Sequence, residues 1–353
     1  MAALGSPIVV DGSHGEGGGA LLRTCLVMSS LTQQAVRLEG VRGGTKYPGL
    51  EFEDLVILRA LAKACEAETT GATLGSTGIS FLPTRRPRAL NGTLDLADED
   101  RSGRGASAPV VLCTLLPVLA RSGAYSQIDV AGETYRERSL SFDYFQNVTL
   151  TVLRRLGLHA CTDMSVAGFG QESKGRISCE VEPSAIQPID WSTRGELIRC
   201  QAIVSTSGLP ASVGERALAH LATLAQSANL GLEAGHNSVD SRTPGAFVTV
   251  WAEFQHGVGG ATARGKRGLR VEGLVQGAFQ EMLSWLSEDA SADPYLVDQV
   301  LVTACLAEGE TVLKTNRITH RLLTAIWVIK QFIPIKITVL GVVNGPGTLT
   351  VRR

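Results

Sequence analysis

Near its start the chain reads Gly12-Ser13-His14-Gly15-Glu16-Gly17-Gly18-Gly19-Ala20-Leu21-Leu22-Arg23, entered from the apolar run Ile8-Val9-Val10. Four of the five positions from Gly15 to Gly19 are glycine. Each glycine costs backbone entropy and buries no side chain, so the run points to close backbone approach to a ligand. Its N–H groups can face an anion where a helix opens at Ala20. The pattern is neither G-x-x-x-x-G-K-[ST] nor G-x-G-x-x-G, so the common nucleotide fingerprints do not account for it. Glu16 is out of place among anion-facing amides unless it holds a divalent cation, Mg2+ or Mn2+, against a phosphate. The plainer alternative is a flexible glycine turn with one solvated glutamate.

Two further clusters lie far downstream. His320 follows Asn316-Arg317-Ile318-Thr319, with Thr319 placed to cap a helix that begins at the histidine. A helix N-terminus favours neutral imidazole, the nucleophilic form. A histidine simply tolerated in the first turn is the competing explanation. Of the other histidines, His14 is placed to touch a ligand from the glycine loop, His159 and His220 read as structural, and His236 and His256 as solvated. The other cluster is Asp293-Pro294-Tyr295-Leu296-Val297-Asp298-Gln299. Tyr295, Asp298 and Gln299 fall within about one helical turn. A ring with a carboxylate and a carboxamide can stack on a base and read its edge. An ordinary helix start capped by Asp293 fits the same residues.

Composition bounds these possibilities. The chain has 353 residues, 44% hydrophobic and 19% charged, with a net charge of −1. That is an ordinary globular composition with room for two or three cores, and it argues against broad nonspecific nucleic-acid binding, DNA included. No apolar run reaches about 18 residues and the start is not signal-like, so no membrane association is expected. The seven cysteines are scattered, odd in number and never in C-x-x-C pairs. A reducing cytoplasm is therefore expected, with neither a disulfide framework nor a cysteine-rich zinc site.

A repeat must position the clusters. Glu53 to Cys65, Phe142 to Leu156 and His320 to Phe332 each carry a helical apolar stripe, and each precedes two strand-like runs joined by a glycine-containing turn. The strand pairs are Ala72–Leu74 with Ile79–Leu82, His159–Met164 with Arg176–Val181, and Ile335–Leu340 with Thr348–Val351. These units predict an α/β (α+β) fold with a large domain of three repeats over 1–187 and 288–353. Residues 188–287 have strands (Leu197–Ser205, Ala246–Phe254) and helices (Gly214–Ala228, Glu272–Leu286) of their own, and read as a smaller inserted α/β domain.

In order along the chain stand G-E-G-G-G-x-x-x-R at Gly15 to Arg23, V-R-G-G at Val41 to Gly44, P-G-L at Pro48 to Leu50, Y-L-x-D-Q at Tyr295 to Gln299, and T-H-R-L-L-T at Thr319 to Thr324. This series resembles the RNA 3′-terminal phosphate cyclase family almost end to end, including an inserted domain before the last repeat. The resemblance implies a ligase-type, ATP-dependent nucleotidyl transfer used in RNA processing. A histidine, by position His320, takes AMP from ATP. The AMP passes to an RNA 3′-phosphate, and the 2′-hydroxyl then closes a 2′,3′-cyclic phosphodiester. It further implies Glu16 as metal holder, Gly17 and Gly18 beside the nucleotide, and Tyr295 stacked on adenine with Asp298 and Gln299 around it. Arg23 and Arg42 would neutralise phosphate. The partner would be RNA 3′-phosphate ends, with the oligomeric state left open and a homodimer included.

The chain departs from the family where the acceptor phosphate is expected. Thr45 stands where a second arginine is usual, Glu53 where a glutamine is, and Cys113 where another glutamine is. Ser102–Ala108 replaces a G-S-x-G-S/T stretch, and Gly132-Glu133-Thr134-Tyr135 replaces G-x-T-[DN]. Acidic Glu53 and Asp54 would repel a phosphate unless arginine or metal intervenes, and Arg104, Arg136 and Arg138 are candidates to restore charge. The nucleotide side is thus better kept than the acceptor side. Two alternatives stay open: an adenylyltransferase for another phosphate or a carboxylate, and a non-catalytic RNA-binding or ribosome-assembly protein.

Overall fold

A computed structural model describes residues 6–94, 105–170 and 174–353. It is a mixed α/β (α+β) structure, in which three four-stranded sheets share one strand order. The first sheet takes β1 (Ile8–Asp11), β2 (Val36–Glu39), β3 (Glu68–Thr70) and β4 (Gly78–Leu82) in the order β1-β2-β4-β3. The second takes β5 (Asn91–Leu94), β6 (Ser126–Gly132), β7 (Ala160–Val166) and β8 (Gly175–Val181) as β5-β6-β8-β7. In each, the first two strands run parallel and the last two form an antiparallel hairpin. A parallel pair needs a crossover, supplied by α1 (Gly19–Thr32) and α3 (Ala108–Leu119). The second helix of each unit then leads into the hairpin. It is α2 (Phe52–Cys65) in the first unit. In the second it is α4 (Phe142–Tyr144), a π-helical turn (Phe145–Thr149) and α5 (Leu150–Arg155) in succession. The repeat is therefore strand–helix–strand–helix–hairpin, longer than the helix-plus-hairpin unit visible in the sequence.

The next strands are β9 (Asp190–Trp191), β10 (Leu197–Ser207), β11 (Glu233–Ser238), β12 (Gly245–Phe254) and β13 (Gly257–Arg264). Helices α6 (Ala211–Ser227) and α7 (Val271–Leu286) accompany them. β10 to β13 form a sheet ordered β11-β10-β12-β13, and an apolar cluster around Val204, Leu221, Val250, Phe279 and Trp285 lies between it and the two helices. The third unit resumes with α8 (Pro294–Ala304), β14 (Glu310–Thr315), α9 (His320–Phe332), β15 (Lys336–Gly341) and β16 (Gly347–Arg352). β9 pairs parallel with β14, so this sheet draws its outer strand from chain lying before residues 197–286.

The helices that carry the motifs pack together: α1 touches α2, α3 and α9, and α8 touches α9 and α3. Leu21, Leu22, Cys25, Leu26 and Met28 of α1 are buried in the common core. α9 is capped by the Thr319 hydroxyl, which accepts from Leu322 N–H at 2.9 Å, and it ends where Pro334 disfavours helix at Ile333. One expected strand is displaced. Ala72–Leu74 lies in a turn and the strand is Glu68–Thr70, because Gly71 at φ +70° breaks the extended backbone between them. The expected continuous helix over 142–156 is interrupted by the π-helical turn, which shifts its side-chain register. All seven cysteines are free. Among the described residues, no helix is long and apolar enough to cross a membrane. Ser102, Gly103 and Arg104 lie outside the described residues.

Candidate active site

The glycine loop joins β1 to α1 and is folded back onto α9. Thr324, one turn into α9, accepts from the Glu16 N–H at 3.0 Å and donates to the His320 carbonyl at 2.9 Å. Gly15 has φ +60°, and a Cβ there would collide with the Thr324 hydroxyl. Only glycine meets both demands without strain. Gly17, at φ +56°, lies against the Val41-Arg42-Gly43-Gly44 turn, where an added Cβ would meet Gly44 Cα at 2.8 Å. Two distant glycine motifs thus pack backbone against backbone, which brings Arg42 beside α1. Gly18 is the buried N-cap residue of α1.

His320 begins α9 and is exposed. Its helix start is fixed from α8, since the Thr319 hydroxyl lies 2.9 and 3.2 Å from the two Asp298 carboxylate oxygens. Burial pushes the Asp298 carboxyl up to about 7, against the opposing pull of Arg321 and the Thr319 hydrogen bond. α8 is in turn positioned by Asp293, whose Oδ1 accepts from the Tyr295 and Leu296 N–H groups at 2.9 and 3.1 Å. Its Oδ2 accepts from Gly260 N–H on β13 at 3.0 Å and from the Tyr144 hydroxyl. One buried carboxylate therefore ties α8 to both the second unit and the β10–β13 sheet.

Tyr295 presents a 46% exposed ring with the Arg317 guanidinium 5.7 Å from its centroid, leaving an aromatic face at the site. Gln299 has a different immediate task, since its Oε1 accepts from the Thr149 hydroxyl at 2.6 Å, within the π-helical turn. His14 stacks on Trp327 of α9, centroids 3.8 Å apart. Arg23 pairs with Glu53 at 3.1 Å, and Arg42 with Asp54 at 3.0 Å and Glu51 at 3.1 Å. Cys113 is held protonated by burial, which pushes its thiol up to about 12.

One residue escaped the sequence reading. Arg321 follows the candidate nucleophile and holds both oxygens of Glu16, at 3.2 and 3.3 Å. Arg136, one of the three arginines expected to restore charge near Glu53, lies 3.3 Å from it. A guanidinium next to the histidine was visible in the sequence, but its carboxylate partner is 305 positions away. Among the described residues, no three histidine, cysteine or acidic side chains cluster as a metal site. Glu16 alone fits a divalent ion that brings most of its ligands as water and substrate phosphate, as magnesium does.

The chain is similar to known proteins over most of its length. A family model described as RNA 3′-terminal phosphate cyclase matches residues 14–339. A protein of that name from Methylococcus capsulatus is 32% identical over 325 residues, covering 92% of this chain and 90% of its own. Its namesake from Gloeothece citriformis is 32% identical, with coverage of 92% and 93%. The one from Thermococcus onnurineus is 32% identical over 356 residues, with coverage of 98% and 99%.

Proposed function

The chain belongs to the RNA 3′-terminal phosphate cyclase family, and from that membership we propose that it is an ATP-dependent ligase converting RNA 3′-phosphate ends to 2′,3′-cyclic phosphodiesters. A ring nitrogen of His320 attacks the α-phosphorus of ATP, the bond to the β-phosphate oxygen breaks, and pyrophosphate leaves. An oxygen of the RNA 3′-phosphate then attacks the histidine-bound phosphorus and frees the imidazole. Finally the neighbouring 2′-hydroxyl attacks the 3′-phosphorus, loses its proton, and expels AMP.

Several residues support these steps by where they stand. Thr319 and Asp298 fix the start of α9, so His320 is held at a helix N-terminus whose N–H groups favour nearby phosphate. The Tyr295 ring offers adenine a stacking face, with Arg317 at its edge. Arg23 and Arg42 offer planar guanidinium forks to phosphate oxygens. Mg2+ or Mn2+, carried with the triphosphate, would sit against Glu16 and lower the charge that the nucleophile meets. Arg321 must release that carboxylate as it does so. We take residues 188–287 as the inserted domain and 1–187 with 288–353 as the catalytic one.

The observation that carries the reading is the junction of glycine loop, α8 and α9 around His320, made by the Glu16–Thr324 and Asp298–Thr319 bonds. The test is incubation with ATP, Mg2+ and a 3′-phosphorylated oligoribonucleotide. The end should become resistant to phosphatase and become sensitive again once acid has opened the ring to a phosphomonoester. An end that stays phosphatase-sensitive with active, folded protein contradicts the reading.

A further inference from the structure

The densest cluster left without a role is Glu53 and the groups that converge on it. Its Oε1 accepts from Arg23 at 3.1 Å, and its Oε2 accepts from the Ser107 N–H at 2.9 Å and Arg136 at 3.3 Å. The donors come from α1, the start of α3 and the chain after β6. Two guanidinium edges and a helix-terminal N–H form a donor set suited to a phosphate. Here a side-chain carboxylate fills it.

Charge leaves little to attract a second anion. The guanidiniums of Arg23, Arg42 and Arg136 are matched by the carboxylates of Glu51, Glu53 and Asp54. Glu133 lies 3.8 Å from Arg136 as well, its carboxyl raised by burial. A terminal phosphate is a dianion near neutral pH and needs a cationic surplus, which this set lacks while Glu53 is in place. An unpartnered polar atom lies close by, however. Asp54 is fully buried, and its Oδ1, 3.7 Å from Arg23, has no hydrogen-bond partner among the described residues. The same oxygen and Arg23 crowd Gly19, where a Cβ would come within 3.0 and 2.9 Å of them. Arg136 also lines an open cleft of 520 Å³ with Glu133, Phe169 and Arg264, so one wall of the cluster faces solvent.

We propose that Glu53 is a resident anion in a phosphate seat built by Arg23, Arg136 and the Ser107 N–H, and that an acceptor phosphate enters by displacing its carboxylate. Glu53 thereby sets which acceptors are used. An end must bind strongly enough elsewhere along its chain to exchange with the carboxylate, which selects against free phosphate and small phosphomonoesters. The seat extends the cyclase reading, but its test needs no cyclisation and so can fail separately from that reading.

The test is calorimetric titration of the full chain with sodium sulfate at constant ionic strength. Glu53→Gln keeps an acceptor for Ser107 while removing the charge. It should bind sulfate at least about tenfold tighter than the wild type, the value of one charge-assisted hydrogen bond. Adding Arg136→Ala should erase the gain. A 3′-phosphorylated oligoribonucleotide should displace the sulfate, and its 3′-hydroxyl counterpart should not. Should Glu53→Gln not fold, Glu53→Asp serves, since a carboxylate one methylene shorter cannot span Arg23 and Ser107 together, and a smaller gain is expected. Equal sulfate affinity in wild type and variant, a gain that survives loss of Arg136, or displacement by ATP alone would each overturn the proposal.

Discussion

Replacing Asp293 by alanine probes how α8 is held, and the structure gives both a size and a pH dependence. The carboxylate caps α8 through two N–H groups and accepts from Gly260 and Tyr144, all within the protein interior. Loss of the cap costs about 1 kcal/mol, and the two stranded buried donors cost about 1–2 kcal/mol each. A total of about 3–5 kcal/mol is expected where the wild-type group is protonated. Burial raises the Asp293 carboxyl from 3.8 to about 6. Because the folded value lies above the unfolded one, the associated stability is complete below the unfolded value and is lost as pH rises through the folded one. A displacement of about two pH units corresponds to about 3 kcal/mol. The gap between wild type and Asp293→Ala should therefore shrink by about 3 kcal/mol between about pH 4 and pH 7. Urea unfolding of both proteins across that range measures it, with ATP affinity of the variant as a second readout. An unchanged gap at both pH values would refute the electrostatic reasoning, and a variant as stable as wild type at the acid end would refute the structural part.

Further outcomes follow from the same contacts. Arg321→Ala should tighten Mn2+ binding by about fivefold, seen by electron paramagnetic resonance, because an exposed ion pair worth up to about 1 kcal/mol no longer competes for Glu16. Gly15→Ala should lose nucleotide binding and about 1–3 kcal/mol of stability from strained backbone and the Thr324 collision, read by calorimetry. Thr319→Ala removes the α9 cap and a hydrogen bond that holds the Asp298 ionisation down, so melting should fall and that ionisation should move above about 7 in a pH titration of ATP binding.

Much of the site was legible because its signals are local. The glycine run, the Asp293 cap with Pro294, and the Thr319 cap before His320 each announce a helix start through residues within one turn, and all three helices begin there. The helix-plus-hairpin grammar was also legible, since it repeats in adjacent chain. The full repeat was not. β9 is only two residues long and finds its partner β14 on the far side of residues 197–286. The contacts of Gln299, Arg136 and Arg321 were equally hidden. Their partners Thr149, Glu53 and Glu16 lie 150, 83 and 305 positions away, and no spacing rule reaches that far. The acidic acceptor side looked repulsive in sequence; in space each of its carboxylates has an arginine against it.

The central claim, that His320 carries AMP during the reaction, is tested by incubating the protein with α-labelled ATP and Mg2+ or Mn2+ and separating it under denaturing conditions. The account predicts a label on the protein that is acid-labile and base-stable, is absent from folded His320→Ala, and is discharged by an RNA 3′-phosphate. Label that persists in His320→Ala, or none on folded, metal-replete wild type, would contradict it.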